Sequence, residues 1–346
     1  MLKSQAEDLS LIIPVYRNEE NIPELISALT KLNMDLDERL TVTFVIDGSP
    51  DKSGQILIKS RANITFHSRI VFHSRNFGSF AAVRTGLEFA KGRFFAVMAA
   101  DLQESPELII TLFEKLEADE ADIVFGTRSE RNDGFIRDIF SRIFWSLYRK
   151  LVLHDMPRGG VGVFACNTIV RDNLLSIQEP NSSLFGQLFW LGFRRSFVPH
   201  KRHKRTIGKS GWRLSMKIRY VMDSVISFTD LPVLVAMWTG LIGITASAIF
   251  ALFTFSAHFL GLINVSGYTT IALLITMFGS VGLLMQGIIG SYVWRAYENT
   301  KRRPLRLISK IYEPNISLTG NDDPLSEIFP SKYAEISTSS EEDSIA

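Results

Sequence analysis

Along the first 128 residues, short apolar runs alternate with segments whose apolar positions recur every three or four residues. The runs predict strands at Leu9–Pro14, Thr41–Ile46, Ile70–His73, Phe94–Met98 and Asp122–Phe125. The periodic segments predict helices at Asn21–Lys31, Ser53–Ser60, Ser79–Ala90 and Pro106–Glu117. Such alternation implies an α/β, Rossmann-like fold with a mostly parallel sheet and helices on both faces. Ligands bind such sheets beyond the carboxyl ends of the strands. Four of the five strands run into polar clusters there, at Tyr16–Glu19, Asp47–Asp51, Asp101–Gln103 and Arg128–Arg131, which are therefore expected to converge on one cleft.

From Gly134 to Arg219 the pattern is less regular, with a helix near Ile136–Leu151, a glycine-rich turn at Gly159–Gly162 and a helix near Leu184–Leu191. The GVGVFA run at Gly160–Ala165 imitates a dinucleotide fingerprint but lacks the surrounding βαβ unit, and is set aside. Leu214–Phe228 places apolar residues opposite Lys217, Arg219 and Asp223, which suits a helix lying on a membrane surface or an ordinary domain helix.

Leu231–Trp294, 64 residues, then contains no Asp, Glu, Lys or Arg. A bilayer crossing needs only about 20 apolar residues. Two spans are expected, near Leu234–Ala257 and Thr269–Val293, broken at His258–Gly267. Core helices of soluble proteins rarely stay uncharged for so long. Basic residues crowd Lys201–Arg219 before the first span, five Lys or Arg fall within Arg295–Arg306 after the second, and the connecting loop has none. Positive charge favours the cytosolic side, so the α/β part and both termini are expected there, on the inner (cytoplasmic) membrane. The expected organisation is a cytosolic α/β domain at 1–212, an interfacial helix at 213–230, a transmembrane hairpin at 231–295 and a cytosolic tail at 296–346, its last part disordered.

Composition adds little until it is divided along the chain. The overall balance is 38 Lys plus Arg against 36 Asp plus Glu, but the tail from Glu313 holds eight acids and one Lys, so the body before it is basic. The single cysteine, Cys166, excludes an intrachain disulfide framework and multi-cysteine zinc sites, and fits a reducing compartment. The first apolar run is short and has no basic leader, so no signal peptide is expected. The sequons at Asn63, Asn181 and Asn315 then face the wrong side for glycosylation. No nucleic-acid partner is expected. Ala236 and Gly240 have small-xxx-small spacing, common by chance, and a homo-oligomer is left open.

Three segments, LIIPVYRNEENI, FVIDGSPDKS and VMAADLQESPELI, together resemble the inverting family 2 glycosyltransferases, specifically the polyprenyl-phosphate enzymes that include dolichol-phosphate mannose synthase and bacterial undecaprenyl-phosphate glucosyltransferases. The last segment is the most specific. GTR at Gly126–Arg128, RDIFS at Arg137–Ser141, RHKRTIGKSGW at Arg202–Trp212 and YENTKRRP at Tyr297–Pro304 extend the resemblance over about residues 1–304. It implies a GT-A-type domain, a nucleotide-sugar donor such as a UDP-hexose, and a polyprenyl-phosphate acceptor such as undecaprenyl phosphate, serving cell-envelope glycan assembly or modification.

The resemblance also implies roles. Asp101 and Gln103 match the oxygen ligands of a divalent cation, Mg²⁺ or Mn²⁺, with Ala100 beside them on the donor side. The bland alternative makes Asp101 a cap for the helix starting at Pro106. Asp47 matches a contact to base or ribose, or else simply forms a turn before Gly48. Pro14, Tyr16, Asn18 and Glu19 match the first donor loop. Arg75, with Asn76 and Phe77, matches a further donor-side segment, although Arg75 also reads as a surface charge.

Arg128, Arg137 and Ser141 match the residues that hold the acceptor phosphate, a task suited to the guanidinium fork. Arg202 and Arg205 match a loop that closes over the donor pyrophosphate, with Ser210 beside it. The basic run they share also suits anionic lipid.

The chain departs from the pattern at three places. Ala99 replaces the first Asp of a DAD triplet, Ile46 replaces the first acid of a DDGS turn, and Gly162 stands where many relatives carry an acid that could act as a base. A phosphate monoester is largely ionised at neutral pH, its second pKa being near 6, so it acts as its own nucleophile without a strong base. A processive polysaccharide synthase is disfavoured by the two spans and the missing QxxRW motif. The remaining rival is a catalytically weak scaffold or a partner of a lipid-sugar flippase, motivated by Ala99 and Ile46.

Overall fold

The computed structural model describes residues 8–128, 156–201 apart from 158, 159, 180 and 181, scattered positions between 229 and 260, and 267–313 apart from 302. Its centre is a parallel core of β1 (Leu9–Val15), β2 (Leu40–Ile46), β3 (His67–His73) and β4 (Phe94–Val97). Every residue of β2 and β4 is buried. Near-continuous apolar runs of this kind are what a parallel sheet covered on both faces requires.

The linking helices bury one stripe each. In α1 (Ile22–Asp35) the stripe is Ile22, Leu25, Leu29 and Leu32, and α2 spans Ser53–Ser60. In α4 (Pro106–Glu117) it is Leu108, Ile109, Leu112, Phe113 and Leu116. Truncating the fully buried Phe113 to Ala is expected to cost about 3–5 kcal/mol. The helix α3 (Ser79–Phe89) instead uses small residues against the sheet. A Cβ on Gly86 would lie 2.1 Å from Ile12 Cγ2, so the close seating of α3 on β1 depends on that glycine.

Successive strand residues face opposite sides. Leu9, Leu11, Ile13 and Val15 of β1 join one core with the apolar faces of α1 and α4, and Ile12 joins the other with Val83 and Leu87 of α3. The second core also takes residues of β5 (Ile123–Arg128), β6 (Val161–Asn167), α5 (Thr168–Ser176) and α6 (Leu184–Trp190). Cys166 lies fully buried there, and burial pushes its thiol up to about 12.

With β7 (Arg195–His200) and β8 (Ile308–Tyr312) the eight strands run in the order β7-β5-β6-β4-β1-β2-β3-β8. The chain builds outward from β1 to β3, then α3 carries it back to place β4 on the other side of β1. The crevice between β1 and β4 is thus a topological switch point, where such sheets bind ligands. Because β6 is antiparallel to both β4 and β5, and β7 is parallel to β5, Arg128 and His200 end their strands on the same side as β1–β4.

All five expected strands and all four expected helices of the first 128 residues are present, with α2 and α4 at the expected bounds. The glycine-rich turn closes at Gly160, whose φ is +71°, and the rest of GVGVFA is β6. The strands β6, β7 and β8 and the helix α5 were not anticipated. Residues 303–313, assigned by sequence to the tail, return to the catalytic sheet. There β8 pairs antiparallel with β3, Ser74 N donates to Leu307 O at 3.0 Å, Arg69 bonds Glu313, and Arg306 bonds Glu88.

The long helix α7 (Tyr268–Thr300, 33 residues) contains the second apolar segment expected at 269–293. Counted over the described residues alone, no helix is long and apolar enough to cross a membrane. The helix expected at 136–151 and the surface helix at 214–228 lie outside the described residues.

Candidate functional site

The loops after β1 and β2 are built as one unit. The main chain of 17–19 points its N–H groups at the second loop. Arg17 N donates to Ser49 Oγ at 2.8 Å, Asn18 N to Ser53 Oγ at 3.1 Å and Glu19 N to Asp51 Oδ2 at 3.1 Å. The return bond comes from Lys52 N to Glu19 Oε2 at 2.8 Å, while Asn18 Oδ1 accepts from Tyr16 N at 3.2 Å. Asp51 sits at the junction, accepting also from Ser49 Oγ at 2.6 Å and Ser53 Oγ at 2.8 Å. Burial pushes the Asp51 carboxyl up, but the hydroxyl and amide donors outweigh it and hold the group below the ordinary Asp value.

Asn18 and Glu19 therefore shape the rim. Pro14 lies inside β1, and Tyr16 is 39% exposed at the mouth with the Arg17 guanidinium 5.4 Å from its ring centre. Arg17 adopts φ +55°, a left-handed conformation uncommon for a side-chain-bearing residue and tolerated here because Ser49 fixes its amide.

After β3 comes the 74–78 loop. Asp47, at the end of β2, is 2% exposed. Its Oδ1 accepts from His73 Nδ1 and from Phe77 N, both at 2.8 Å, and its Oδ2 accepts from Gly78 N at 2.8 Å. Where sequence comparison expected a contact to base or ribose, the structure gives Asp47 three protein partners. Gly48 has φ +57°, and a Cβ there would lie 2.3 Å from the carbonyl carbon of Arg75, so the two loops touch backbone to backbone. Arg75 is exposed, its guanidinium 4.1 Å from the Phe77 ring centre.

After β4, Ala99 and the buried Ala100 lead into Asp101. Leu102 takes φ +52°, curling the chain so that Gln103 N comes 3.4 Å from Asp101 Oδ1. The α4 cap is Ser105, whose side chain accepts from Leu108 N, so Asp101 is not needed for capping. Its carboxylate and the Gln103 amide oxygen are the hard donors that Mg²⁺ or Mn²⁺ favours. Among the described residues no group of three His, Cys, Asp or Glu is placed to hold a metal. A two-residue protein donor set fits a cation that takes its other ligands from a diphosphate and water. An open depression of about 410 Å³ between α1 and α4, lined by Glu24, Lys31 and Glu107, meets this loop at Leu102 and Ser105 and not at Asp101 or Gln103.

The topology thus brings Tyr16, Asn18, Glu19, Asp47, Arg75, Ala100, Asp101 and Gln103 to one side of the sheet, with the end of β5 at Arg128. The Arg128 side chain, and Arg137, Ser141, Arg202, Arg205 and Ser210, lie outside the described residues. Ser49 and Asp51 fall in the Asp47–Asp51 cluster expected at the cleft but were given no roles of their own, and Ser53, in the same DGSPDKS segment, was missed. His73, the first residue of the HSRNFG segment, was given no role of its own, and Thr85 stands in no motif.

Residues 10–176 match the family described as Glycosyl transferase family 2. CsbB of Bacillus subtilis is 34% identical over 90% of this chain and 94% of its own length. The uncharacterized glycosyltransferase sll0501 of Synechocystis is 30% identical over 88% of this chain and 96% of its own. A prophage bactoprenol glucosyl transferase homolog of Escherichia coli is 27% identical over 88% and 99%. With its sheet and its likeness to these relatives along nearly their whole length, the chain belongs to glycosyl transferase family 2.

Proposed function

We propose that the protein transfers a sugar, with inversion, from a nucleotide-sugar, a UDP-hexose, to a polyprenyl phosphate, undecaprenyl phosphate, at the cytosolic face of the cytoplasmic membrane. The observation that carries this reading is the gathering, at the carboxyl ends of the strands, of the 16–19, 47–53, 74–78 and 99–103 loops with the ends of β5 and β7. The named bactoprenol glucosyl transferases among its relatives support the class of acceptor.

In this reading an oxygen of the lipid phosphate forms a bond to the anomeric carbon. The bond from that carbon to the diphosphate oxygen breaks on the opposite side, and its electron pair leaves with the nucleoside diphosphate. The phosphate arrives ionised, so no side chain need remove a proton. Asp101 and Gln103 hold Mg²⁺ or Mn²⁺, which when bound neutralises charge on the leaving diphosphate. Arg128, Arg137 and Ser141 orient the lipid phosphate, and Arg202, Arg205 and Ser210 close over the donor.

The hairpin at 231–295 anchors the catalytic domain. Its uncharged 64 residues support this, as do Ile271, Ile275, Ile289 and Val293 of α7, each more than half exposed. Near the end of α7, Lys301 Nζ lies 5.1 Å from the Trp294 ring and 4.3 Å from the Tyr297 ring, an amphipathic group suited to a membrane interface.

The test is incubation of purified protein with undecaprenyl phosphate, Mg²⁺ or Mn²⁺, and a panel of labelled nucleotide-sugars. One donor is expected to yield a lipid-linked product, and formation of none with any donor overturns the proposal in favour of a scaffold.

A further inference from the structure

Resting on the reading that the hairpin at 231–295 anchors the chain in a bilayer, we propose that the face at the carboxyl ends of the strands is a lipid-facing surface, held towards the headgroups by the short segment that joins α7 to β8. The helix α7 ends at Thr300 and β8 begins at Ile308, so seven residues, 301–307, make the join. Because β8 is antiparallel to β3, with Ile308 opposite His73 and Tyr312 opposite Ile70, the chain arriving from α7 enters the sheet at the carboxyl end of β3. A parallel β8 would have brought it in at the amino end.

The entry point is tied down. Ser74 N donates to Leu307 O at 3.0 Å, and the Arg306 side chain, 11% exposed, bonds Glu88 of α3. Ile308 and Ile311 pack with Val45, Val71 and Ala82 in a small core between the sheet and α3, and Ser309 Oγ donates to Phe72 O at 3.3 Å. At the far end of β8, Arg69 Nε and Nη2 donate to Glu313 Oε2 at 3.1 and 2.7 Å, and the Tyr312 ring meets the Phe72 ring edge-on at 5.8 Å. Only 301–305 are left as a tether, about 18 Å when fully extended. The two ends of β3, also seven residues long, lie about 23 Å apart, so the tether falls short of the amino ends of the strands. A lipid phosphate stays at headgroup level, and a domain turned this way meets it without a rotational search at each encounter.

The experiment uses the full chain in vesicles of phosphatidylethanolamine and phosphatidylglycerol that carry an energy-transfer acceptor on a headgroup. Asn76→Cys places a fluorophore on the carboxyl-end face, and Lys91→Cys places one on the amino-end face, between α3 and β4. Both positions are exposed, whereas Cys166 is buried and stays unlabelled. With the two faces about 23 Å apart, energy transfer is expected to be at least about 3-fold stronger from position 76 than from 91. A flexible Gly/Ser insert of about 12 residues after Arg303 adds roughly 20 Å of reach. It should cut that contrast about 2-fold and slow sugar transfer to undecaprenyl phosphate in the vesicles about 5-fold. Binding of UDP should stay within about 2-fold of the unaltered chain, because the insert lies in none of the donor loops.

Equal energy transfer from the two positions, or a stronger signal from 91, in protein that has entered the vesicles overturns the inference. So does an insert that leaves both the contrast and sugar transfer unchanged. A chain that does not enter vesicles overturns the anchor of the proposed function and this inference with it. A chain that enters them with the expected contrast but transfers no sugar overturns the proposed chemistry alone.

Discussion

The two ends of the same parallel strands treat charge differently. At the amino ends, carboxylates are matched by long cationic side chains. Asp8 takes both nitrogens of the Arg39 fork at 3.0 and 2.9 Å, and Arg39 also reaches Glu117. Asp122 takes Arg194 at 3.1 Å and Asn167 at 3.0 Å, and Arg194 reaches Asp119. These bonds hold the Arg39 guanidinium above its ordinary value and the Asp122 carboxyl below its own. At the carboxyl ends, Asp51 and Glu19 are matched by backbone N–H and hydroxyl groups, and Asp47 by two backbone N–H groups and the His73 ring. Backbone donors bring no countercharge, so that rim keeps a field of its own while Asp101, Arg75 and Tyr16 stand at its mouth. A carboxylate satisfied by an arginine fastens a surface; one satisfied by amides shapes a site.

That contrast is open to direct attack. Asp101→Ala is expected to lower transfer at least about 100-fold with little change in unfolding temperature, since loss of a single charge-stabilising group commonly has that effect and Asp101 caps no helix. Sugar transfer at the unaltered rate would remove Asp101 from the site.

Gly48→Ala should be the most damaging substitution to the rim as structure. The positive φ alone costs about 1–3 kcal/mol, and the new methyl meets the Arg75 carbonyl carbon. Both unfolding temperature and donor KM should worsen, and an unaffected KM would argue that the loops do not share a cleft.

Acid should strike both ends together. The folded carboxyls of Asp51 and Asp122 lie below the unfolded value, so their stabilisation is present above about pH 4 and is lost as pH falls through the folded values. Unfolding midpoints should be flat near neutrality and decline below that range. Asp51→Asn should flatten the decline.

Arg39→Ala should be the mildest. Its ion pairs are partly exposed and screened by solvent, so the loss should stay under about 1 kcal/mol, shrink further in high salt and leave transfer intact. A loss of activity there would erase the distinction between the two ends.

A helix with its own cap and a full apolar stripe was legible residue by residue, as α4 illustrates. Strands were legible where both faces are buried. Two of the missed ones, β7 and β8, lack that burial. RSFVPH of β7 has no fully buried residue and contains Pro199, and ISKIY of β8 buries only Ile311. The small residues of VGVFACN masked β6 as a turn, because its packing partners are large side chains from elsewhere, such as Phe95 and Phe189. In the site, the convergence of the loops followed from strand order alone. The inward turn of Asp47 did not, since its partners are two main-chain amides 30 and 31 residues away and a histidine 26 residues away.

The return of β8 has a consequence for biosynthesis. The catalytic sheet is discontinuous in sequence: its outermost strand emerges from the ribosome only after the whole apolar segment from 231 to 294. Until then β3 is an open edge, the kind of strand that pairs indiscriminately, and Arg69, 7% exposed in the finished fold, awaits Glu313. A fragment trimmed before residue 303 to make the enzyme tractable would keep every donor loop yet leave that edge bare. Retaining 303–313, spliced back behind a short linker, is the rational design for a soluble version.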